Sequence, residues 1–521
     1  MRSTQLWHFL LVFWFAIFSP ANASAKLLQI IHTNDLHANF DSSDTPGRGG
    51  YAAVKGLIDS LRDAAALKGI ETLTVDAGDF ADGSIYRYAE KGGAPLRLMD
   101  AMGYDAVTIG NHDWLIGTSQ LDGIFGMIQP HTRYLGANIV IPPSSKYLAS
   151  HIESHAVLTR AGARIGIVGL TTSDLIYSWR MNEGGIDSPK KIGAELISKL
   201  KGETDYVFLL SHLGHRKDKN FVKKVRGIDL VIGSHSHDFL YDPVYREDPD
   251  SRTVPIVQAG AHGEVVGDLL VDLVPGQPLK IIRYRLIPVQ SRGPRDPHVD
   301  DLVRKARLSL EEQYGANWLS EPVAFSQVPM LRPDHGPTVW GTFYADTLRE
   351  VAKADIGLDI SGYYGTNQPP GPITREALYN FFPRTFDLKT PFGWTIWKVR
   401  APGWLIKLTI TTALKFGGYC NTSNISYELK VKNGKVKFRN FKVGGKPLSD
   451  MKVYSLGVSE GIGRGSDEIS SYLRAFFKPK DTGLAVWSAV EQRLVDMNKA
   501  TFPPPYFQIP KVVISKDDLQ D

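Results

Sequence analysis

The feature of this sequence that most constrains its fold is a series of short apolar, β-branched runs in the first half of the chain. The seven runs that we predict as strands are Leu27–His32, Thr72–Val75, Ala106–Ile109, Arg164–Leu170, Tyr206–Leu210, Leu230–Ile232 and Val254–Gln258. Helical patterns such as Tyr51–Lys68 and Ile192–Leu200 separate several of them. This β/α alternation predicts layered sheets with helices on the outside.

Five of these runs lead directly into side chains that bind metal ions. The segments concerned are Thr33–His37, Asp76–Asp79, Gly110–Asp113, Ser211–His212 and Gly233–His237. In open α/β sheets the carboxyl ends of the strands meet at one crevice, so groups about 200 residues apart in sequence can converge there. Seven oxygen and nitrogen ligands are too many for one tetrahedral ion. They suit two ions about 3.5–4 Å apart that share a bridging carboxylate.

Each of these residues has a simpler explanation when it is taken alone. A single His or Asp after a strand is more often a helix cap, a turn residue or a hydrogen-bonded surface group. Asp35 and His37 are two residues apart, however, as are His235 and His237, and that spacing places both side chains on one face of an extended segment. Five such elements, each after an apolar strand, together favour a metal site.

The cysteine and histidine content narrows the choice of ligands. The chain has one cysteine, Cys420, and 14 histidines, which excludes a disulfide framework and a cysteine-rich zinc or iron–sulfur site. Imidazole and carboxylate groups therefore remain as the metal ligands. The net charge is only +5 over 521 residues, and basic residues occur in short mixed runs such as Lys217–Lys224. We therefore predict no nucleic-acid polymer as a partner.

The first 25 residues have the composition of a secretory signal peptide. Arg2 precedes an apolar run from Leu6 to Phe18, Pro20 ends this run, and the small residues of Ala21–Ala25 offer cleavage sites. The run is shorter than the roughly 20 residues that a spanning helix needs. We predict an exported protein, periplasmic or secreted, with no stable membrane anchor after cleavage. An uncleaved N-terminal anchor is the alternative.

Changes in composition divide the mature chain into two domains. We predict a signal peptide over residues 1–25, a first domain over 26–290, a linker over 291–320 and a second, mixed α/β domain over 321–521. The linker begins with charge and proline at Ser291–Pro297 and contains a helical pattern over Val299–Tyr314. Hairpin signals at Asn433-Gly434 and Gly444-Gly445 lie in the second domain.

The motifs, in this order, resemble the calcineurin-like metallophosphoesterase superfamily, and more specifically the secreted two-domain 5′-nucleotidases, which include UDP-sugar hydrolases. The matching pieces are His32–His37, Gly49–Ala52, Asp76–Asp79, Ser211–Gly214 and Gln258–Gly260. The resemblance implies a four-layer α/β/β/α metallophosphoesterase domain joined to a smaller α/β C-terminal 5′-nucleotidase-like domain. It also implies two divalent metal ions, for which zinc, manganese, iron, cobalt and magnesium are all candidates.

The same resemblance implies roles for eight residues. One ion would be held by Asp35, His37 and His237, the other by Asn111, His212 and His235, and Asp79 would bridge them. His112 would be the catalytic residue, placed near the leaving oxygen, where it would stabilise developing negative charge. The two ions would activate a water for in-line attack on phosphorus.

The sequence departs from the family pattern at the partner of the catalytic histidine. The family pattern Asn-His-Glu-x-Asp places an aspartate where this chain has Leu115, and a leucine cannot orient an imidazole. Asp113 lies next to His112, but an adjacent residue usually points to another face. We therefore expect His112 to act alone or to use an acid from elsewhere in the chain.

The second domain departs further, in the segments that bind substrate in the family. The family's glycine-rich, arginine-containing loop corresponds to Ala354–Thr374, and no arginine follows before Arg375. The two aromatic residues that clamp the base in the family are also missing, although Tyr363, Tyr364 or Tyr419 could stack instead. The sequence therefore assigns no substrate-binding residue.

Together these features predict an exported dimetal phosphohydrolase. Its substrate would be a small-molecule phosphomonoester or phosphoanhydride, with a 5′-nucleotide as the leading candidate. One alternative keeps the metal centre but changes the substrate to a non-nucleotide ester, a cyclic nucleotide, a nucleotide sugar or a sulfur oxyanion ester. The other alternative is a binding protein with little catalytic activity on the same scaffold. Metal-dependent turnover separates this last alternative from the enzymes.

Overall fold

The structure, a computed structural model, describes residues 26–41, 49–174, 178, 180–181, 183–334, 336–388, 393–415, 419–432, 435–469, 477–497 and 512–514. The predicted signal peptide lies outside these residues. Within them, no helix has the length and apolar character that crossing a bilayer requires.

Two β-sheets stack face to face in the first domain. Their strands are β1 (Lys26–Thr33), β2 (Glu71–Asp76), β3 (Ala106–Thr108), β4 (Tyr134–Leu135), β6 (Ile152–Glu153), β7 (His155–Arg160), β8 (Ala163–Thr171), β10 (Tyr206–His212), β11 (Leu230–Gly233), β12 (Val244–Glu247), β13 (Thr253–Val257), β14 (Val265–Leu273) and β15 (Lys280–Pro288). The orders are β15-β14-β1-β2-β3-β4-β6 and β12-β13-β11-β10-β8-β7. A small pair, β5 (Ile139–Val140) and β9 (Gly185–Ile186), lies beside them. All seven predicted strands are confirmed.

Helices cover the outer faces of these sheets. They are α1 (Gly50–Ala66), α2 (Ala94–Met102), α3 (Asn111–Trp114), α4 (Thr118–Ile128), α5 (Lys146–His151), α6 (Pro189–Lys201) and α7 (His215–Val222), with a 3-10 segment over Ile85–Gly92. Fully buried residues such as Ile30 of β1 and Phe208 of β10 fill the space between the two sheets. Each strand places alternate apolar side chains into this layer. The predicted four-layer α/β/β/α arrangement is confirmed.

One long helix, α8 (Pro297–Tyr314), follows the first domain where the sequence predicts a linker helix. The Asp296 side chain caps it by accepting the Val299 N–H at 2.8 Å. Its apolar stripe, which includes Ala306 and Leu310, is fully buried, and the helix packs against α1, α2 and the 3-10 segment. The helix is therefore part of the core of the first domain and not a free tether.

The second domain is built on a five-stranded sheet and a hairpin sheet. Its strands are β16 (Pro322–Ser326), β17 (Ile356–Ile360), β18 (Gly371–Thr374), β19 (Thr395–Pro402), β20 (Cys420–Ser423), β21 (Ile425–Lys432), β22 (Lys435–Val443), β23 (Lys446–Pro447), β24 (Val453–Ser459), β25 (Lys480–Ala485) and β26 (Val512–Ile514). Its helices are α9 (Val339–Val351), α10 (Arg375–Phe381), α11 (Gly403–Lys415), α12 (Glu460–Ile469) and α13 (Val486–Asp496), with a 3-10 turn over Ser361–Tyr363.

The sheet orders of the second domain are β20-β17-β24-β19-β25 and β23-β22-β21-β26, with β16 paired to β18. The predicted hairpin signal Gly444-Gly445 joins β22 to β23, which confirms it. The other signal, Asn433-Gly434, lies outside the described residues, between the antiparallel strands β21 and β22.

The two domains contact each other directly beside the strand ends of the first domain. The Tyr88 hydroxyl accepts the Gly393 N–H at 2.7 Å, and the Asn380 side chain accepts the Ile85 N–H at 2.9 Å. The rings of Tyr88 and Tyr379 pack edge to face, with centroids 5.8 Å apart. Gly362 and Gly461, which follow β17 and β24, line one cleft with Asp82 and His112, which follow β2 and β3.

Candidate metal centre

The carboxyl ends of β1, β2, β10 and β11 converge on one crevice, as the sequence predicts. The structure brings six of the predicted ligands together in two groups. Within each group the candidate ligand atoms lie within 4.8 Å of one another: Asp35, His37 and His237 form one, and Asp79, His212 and His235 form the other. Asn111, the seventh, begins α3 and places its Oδ1 3.1 Å from His212 Nε2 in the second group.

A carboxylate oxygen lies between the two groups. Asp79 Oδ2 is 3.0 Å from His212 Nε2 and 4.0 Å from His37 Nε2. The other oxygen, Oδ1, accepts the backbone N–H of His112 at 2.7 Å, which fixes the carboxylate in this orientation. A single residue therefore faces both groups, which is the arrangement that a bridging ligand requires.

Backbone carbonyls orient the two central histidines. The Asp82 carbonyl lies 2.6 Å from His37 Nδ1, and the Ala77 carbonyl lies 2.9 Å from His212 Nδ1. Because a carbonyl oxygen only accepts, each Nδ1 carries a proton, and each Nε2 faces the crevice. Metal-binding histidines are commonly held in this way.

The charge balance of the crevice fits bound cations. His37 Nε2 and His237 Nε2 face each other at 3.0 Å. Burial, reinforced by the charges of His112 and His237, lowers the pKa of His37 to about 3, so this ring is neutral near pH 7. In the second group, burial opposes ionisation of His212, but the adjacent Asp79 outweighs it and raises the pKa of His212 to about 10. The neutral imidazole of His37 thus presents a lone pair, whereas Asp79 draws positive charge to His212, where a divalent ion would replace the proton. The donor set suits divalent ions.

Five of the seven predicted ligands have a left-handed backbone conformation. The φ angles are 51° at Asp35, 51° at His37, 63° at Asp79, 70° at His235 and 57° at His237. Such angles are uncommon outside glycine, and they cluster at functional sites where the surrounding structure imposes them. The extended conformation predicted for Asp35–His37 and His235–His237 is therefore wrong, because both histidine-bearing segments begin and end in left-handed residues.

The structure provides the acid partner that the sequence could not assign to His112. Asp82 Oδ2 lies 3.0 Å from His112 Nδ1, and Asp82 is almost fully buried. Asp113 points elsewhere, since its carboxylate accepts the backbone N–H groups of Asp79, Phe80, Ala81 and Gly110. Leu115 is buried and lines the adjacent cleft. One signal in the sequence was available: Asp82 is in the same strand-end loop as Asp79.

A second residue that the sequence missed reaches the site from the other domain. Arg384 Nη1 lies 3.4 Å from His112 Nδ1 and 4.0 Å from Asp82 Oδ2, and only 9 % of the residue is exposed. Its other nitrogens donate to the carbonyls of Tyr363 and Gly362. Arg375, the first arginine after the loop Ala354–Thr374, instead pairs with Glu321 and Glu491.

Aromatic side chains line the cleft beside His112 and Arg384. Tyr363 packs edge to face on Trp394 with centroids 4.8 Å apart, and Phe386 lies 4.7 Å from Trp394. Tyr364 is instead fully buried in the core of the second domain, where its hydroxyl accepts from Asn421. Of the three tyrosines predicted as stacking candidates, only Tyr363 lines this cleft.

The structure also places two further residues that the sequence singled out, Tyr419 and His262. The Tyr419 ring is buried, and its hydroxyl is hydrogen-bonded to Tyr427 inside the second domain. His262, for which the sequence indicates no role, lies beside the first group, with its ring centroid 5.3 Å from that of His37. Tyr419 is therefore a packing residue, and His262 is a neighbour of the candidate ligands.

A layered sheet domain with two such groups at its strand ends, faced by a second domain, is the architecture of a dimetal phosphoesterase. The sequence matches the calcineurin-like phosphoesterase family over residues 28–239 and the C-terminal domain of 5′-nucleotidases over residues 322–474. It is 31 % identical to 5′-nucleotidase of Mus musculus over 427 residues, which cover 72 % of this chain and 71 % of the mouse protein. The chain belongs to the 5′-nucleotidase family.

Members of this family are metal-dependent hydrolases of phosphate esters and use two divalent ions, so the predicted family, enzyme class and cofactors are confirmed. The 5′-nucleotidase precursor of Thermus thermophilus has a TM-score of 0.76, with 22 % identity and coverage of 90 % of this chain and 96 % of its own. The Thermus thermophilus sulfate thiohydrolase SoxB has a TM-score of 0.72, with 18 % identity and coverage of 95 % and 97 %. At these identities both show the fold alone.

Proposed function

We propose that this chain hydrolyses a 5′-nucleotide, with Asp35, His37 and His237 holding one ion, Asn111, His212 and His235 holding the other, and Asp79 between them. The observation that carries this assignment is the position of Asp79 Oδ2, within 4.0 Å of a histidine from each group. Bound divalent ions supply a hydroxide near neutral pH and polarise the phosphoryl oxygens.

His112 and Asp82 act as the proton-holding pair of this site. Asp82 Oδ2 accepts a hydrogen bond from His112 Nδ1–H, which orients the ring so that Nε2 faces the leaving oxygen. A proton on Nε2 would offset the negative charge that develops on the leaving oxygen in the transition state. Asp82 thus takes the place that the family gives to the residue at position 115.

Arg384 contacts the phosphoryl group in this proposal. Its Nη1 has no carboxylate or carbonyl acceptor within hydrogen-bond distance among the described residues, and the nearby His112 Nδ1 already donates to Asp82. A buried guanidinium group with unused donors has a strong preference for an anionic oxygen. A phosphoryl oxygen between Arg384 and His112 would satisfy both groups.

The leaving group occupies the aromatic cleft. The enclosed space there is about 20 Å³, which is room for one water molecule. A nucleobase is larger than this space, so the proposal includes a separation of the two domains that admits substrate and a closure that brings Arg384 to the metal centre. Tyr363, Phe386 and Trp394 provide aromatic faces that suit a nucleobase, since base stacking contributes about 1–3 kcal/mol.

A non-nucleotide ester is the second candidate substrate. The observation in its favour is that Tyr364 and Tyr419 are packed inside the second domain and line no part of the cleft. With these two residues unavailable, selection of a nucleobase depends on the small cleft beside His112 alone. A compact phosphate or sulfur oxyanion ester would need less space and fewer contacts in that cleft.

A substrate panel tests the proposal. AMP, UDP-glucose, p-nitrophenyl phosphate and a thiosulfate ester are assayed with Mn, Zn, Co or Mg added, for the wild type and for Asp79→Asn. The proposal predicts metal-dependent release of phosphate from AMP with a higher kcat/KM than from p-nitrophenyl phosphate, and loss of both in Asp79→Asn. A preference for the simple ester would contradict the nucleotide assignment, and no turnover of any substrate would contradict the enzymatic one.

We also propose that the protein is exported, on the basis of the signal-peptide composition of residues 1–25. Expression in a bacterial host followed by separation of periplasm and cytoplasm tests this proposal. The mature form, shortened at its N-terminus, is expected in the periplasmic or extracellular fraction. Recovery of the full-length chain in the cytoplasm would contradict it.

A further inference from the structure

Basic residues are concentrated in one segment of the second domain, and the average over the whole chain conceals this. Residues 398–452 contain twelve Lys and Arg but only two Asp and Glu, Glu428 and Asp450. The rest of the chain has 48 basic and 53 acidic residues, a slight excess of negative charge. Apolar and polar residues separate the lysines of this segment, so it contains no long run of basic residues that the sequence alone would reveal.

Exposed apolar side chains lie in this segment and directly after it. Trp404 is 48 % exposed, Leu408 53 %, Met451 82 % and Val453 42 %. Trp404 and Leu408 are one helical turn apart on α11 and therefore lie on one face of that helix. Single exposed apolar residues are ordinary, but a group of four is typical of an interaction surface.

Backbone contacts join these residues into one surface, which we call the distal patch: Trp404, Lys407, Leu408, Met451, Lys452 and Val453. The Trp404 N–H donates to the Asp450 carbonyl at 3.1 Å, and the Gly403 N–H donates to the Lys452 carbonyl at 3.0 Å. Val453 pairs with Pro402 across the sheet. Lys407 Nζ donates to Asp450 Oδ1 at 2.7 Å, so the charges of these two residues offset each other.

The distal patch and the metal centre lie at opposite ends of the same strands. β19 begins after Trp394, which lines the cleft, and ends at Pro402, beside the patch. An eight-residue strand spans about 23 Å at a rise of about 3.3 Å per residue. A partner bound at the patch would therefore leave the cleft open to solution.

We propose that the distal patch docks the enzyme reversibly on a bilayer surface that contains anionic phospholipid. Exposed Trp, Leu and Met side chains with adjacent lysines fit the boundary between headgroups and acyl chains, where apolar groups insert and cations meet the lipid phosphates. Lys452, Lys446 and Arg400 are all exposed. A soluble polyanion would bind the basic side chains, but it would not account for the exposed apolar side chains beside them.

Co-sedimentation with vesicles tests this proposal without reference to catalysis. The chain from residue 26 onward is mixed with vesicles of phosphatidylcholine alone or with about 30 mol% phosphatidylglycerol. We expect binding to the anionic vesicles only, and its loss in about 0.5 M salt, which screens the lipid charge. Equal binding to both vesicles, or binding to neither, would overturn the proposal.

Paired variants locate the surface. Trp404→Ser with Leu408→Ser, and separately Lys407→Gln with Lys452→Gln, should each lower the partition to anionic vesicles by at least about tenfold. The control, Leu67→Ser with Lys68→Gln, removes an exposed apolar and basic pair from the first domain and should bind like the wild type. Circular dichroism and the melting temperature confirm that each variant is folded.

Two results would contradict the assignment of the surface. Wild-type binding in both patch variants would exclude the distal patch as the docking face. Retention on immobilised heparin together with no vesicle binding would assign the basic segment to a soluble polyanion. Hydrolysis plays no part in these readouts, so failure of the proposed function leaves this test intact.

Discussion

At the scale of single residues, the metal centre depends on backbone conformations that side chains other than glycine rarely adopt. Asp35, His37 and Asp79 all have φ between 51° and 63°. A left-handed conformation costs roughly 1–2 kcal/mol at a residue with a Cβ atom. Bound ions would favour this arrangement, so that the free energy of metal binding would offset the backbone strain.

Asp82→Asn tests the pairing of His112 with Asp82. We expect kcat to fall about 100-fold, because an amide neither orients the imidazole as firmly nor stabilises its charge. Metal content should be unchanged, since only the Asp82 main-chain carbonyl contacts a candidate ligand. Asp100→Asn is the matched control, as it removes a His131–Asp100 pair at the surface. A wild-type kcat in Asp82→Asn would refute the pairing.

The convergence of the candidate ligands could be predicted from sequence, whereas the neighbours of His112 could not. Each candidate ligand ends or follows a strand, and strand ends in parallel sheets converge, so the position of Asp79 or His212 in space follows from local pattern. Arg384 lies 272 residues from His112, and its place depends on how the two domains pack. Nothing in local periodicity encodes that packing.

Arg384→Gln tests the phosphoryl contact. Loss of a charge-assisted hydrogen bond, at roughly 1.5–3 kcal/mol, should raise KM about 10- to 100-fold and raise the inhibition constant of inorganic phosphate equally. Arg384→Lys should recover part of this loss, because a point charge replaces the fork of donors. Arg375→Lys, an ion-paired arginine of the same domain, is the control. An unchanged inhibition constant for phosphate would contradict the phosphoryl contact. The contacts of Arg384 with the carbonyls of Tyr363 and Gly362 would then be its role.

At the scale of elements, helix and strand positions follow from apolar periodicity, and the substrate loops do not. The helix predicted over Val299–Tyr314 is present as Pro297–Tyr314, because four-residue spacing of apolar side chains defines a buried stripe. The segment Ile360–Thr374 has no such period. Its 3-10 turn at Ser361–Tyr363 is fixed by Arg384 and by the Tyr419 carbonyl, both distant in sequence.

The helix α8 connects the domains and should contribute strongly to stability. Leu310→Ala is expected to lower the free energy of unfolding by about 2–5 kcal/mol, because Leu310 is fully buried and its truncation leaves a cavity. Leu308→Ala, on the exposed side, should change it by less than about 0.5 kcal/mol. Urea denaturation measures both. Equal effects would show that the helix is not packed as described.

At the scale of the whole molecule, buried carboxyl groups make stability depend on pH. Burial, opposed by a hydrogen bond from Ser459, raises the pKa of Asp359 to about 7. Burial likewise raises the pKa of Asp76 and Asp218 to about 7. In the unfolded chain these groups ionise near pH 4, so the folded state binds more protons between about pH 4 and 7. Stability is therefore greatest below about pH 4 for these groups and decreases as pH rises through 7.

Asp359→Asn isolates one of these contributions away from the metal centre. Asparagine cannot ionise, so the variant should lose less stability than the wild type between pH 5 and pH 8, by a few kcal/mol at most. Urea midpoints at the two pH values give this difference. Asp481→Asn, at an exposed position, is the control and should follow the wild type. An identical pH dependence in Asp359→Asn and wild type would show that Asp359 ionises as an exposed carboxyl does.

The most direct test of a dimetal active site is the metal stoichiometry of the wild type and of Asp79→Asn, measured together with turnover. We predict two divalent ions per wild-type chain, complete loss of turnover in EDTA and recovery when metal is restored. In Asp79→Asn we predict fewer than two ions and a fall in kcat of at least about 1,000-fold, since one carboxylate faces both groups. Two retained ions with near wild-type turnover in Asp79→Asn, or wild-type turnover in EDTA, would contradict the dimetal mechanism.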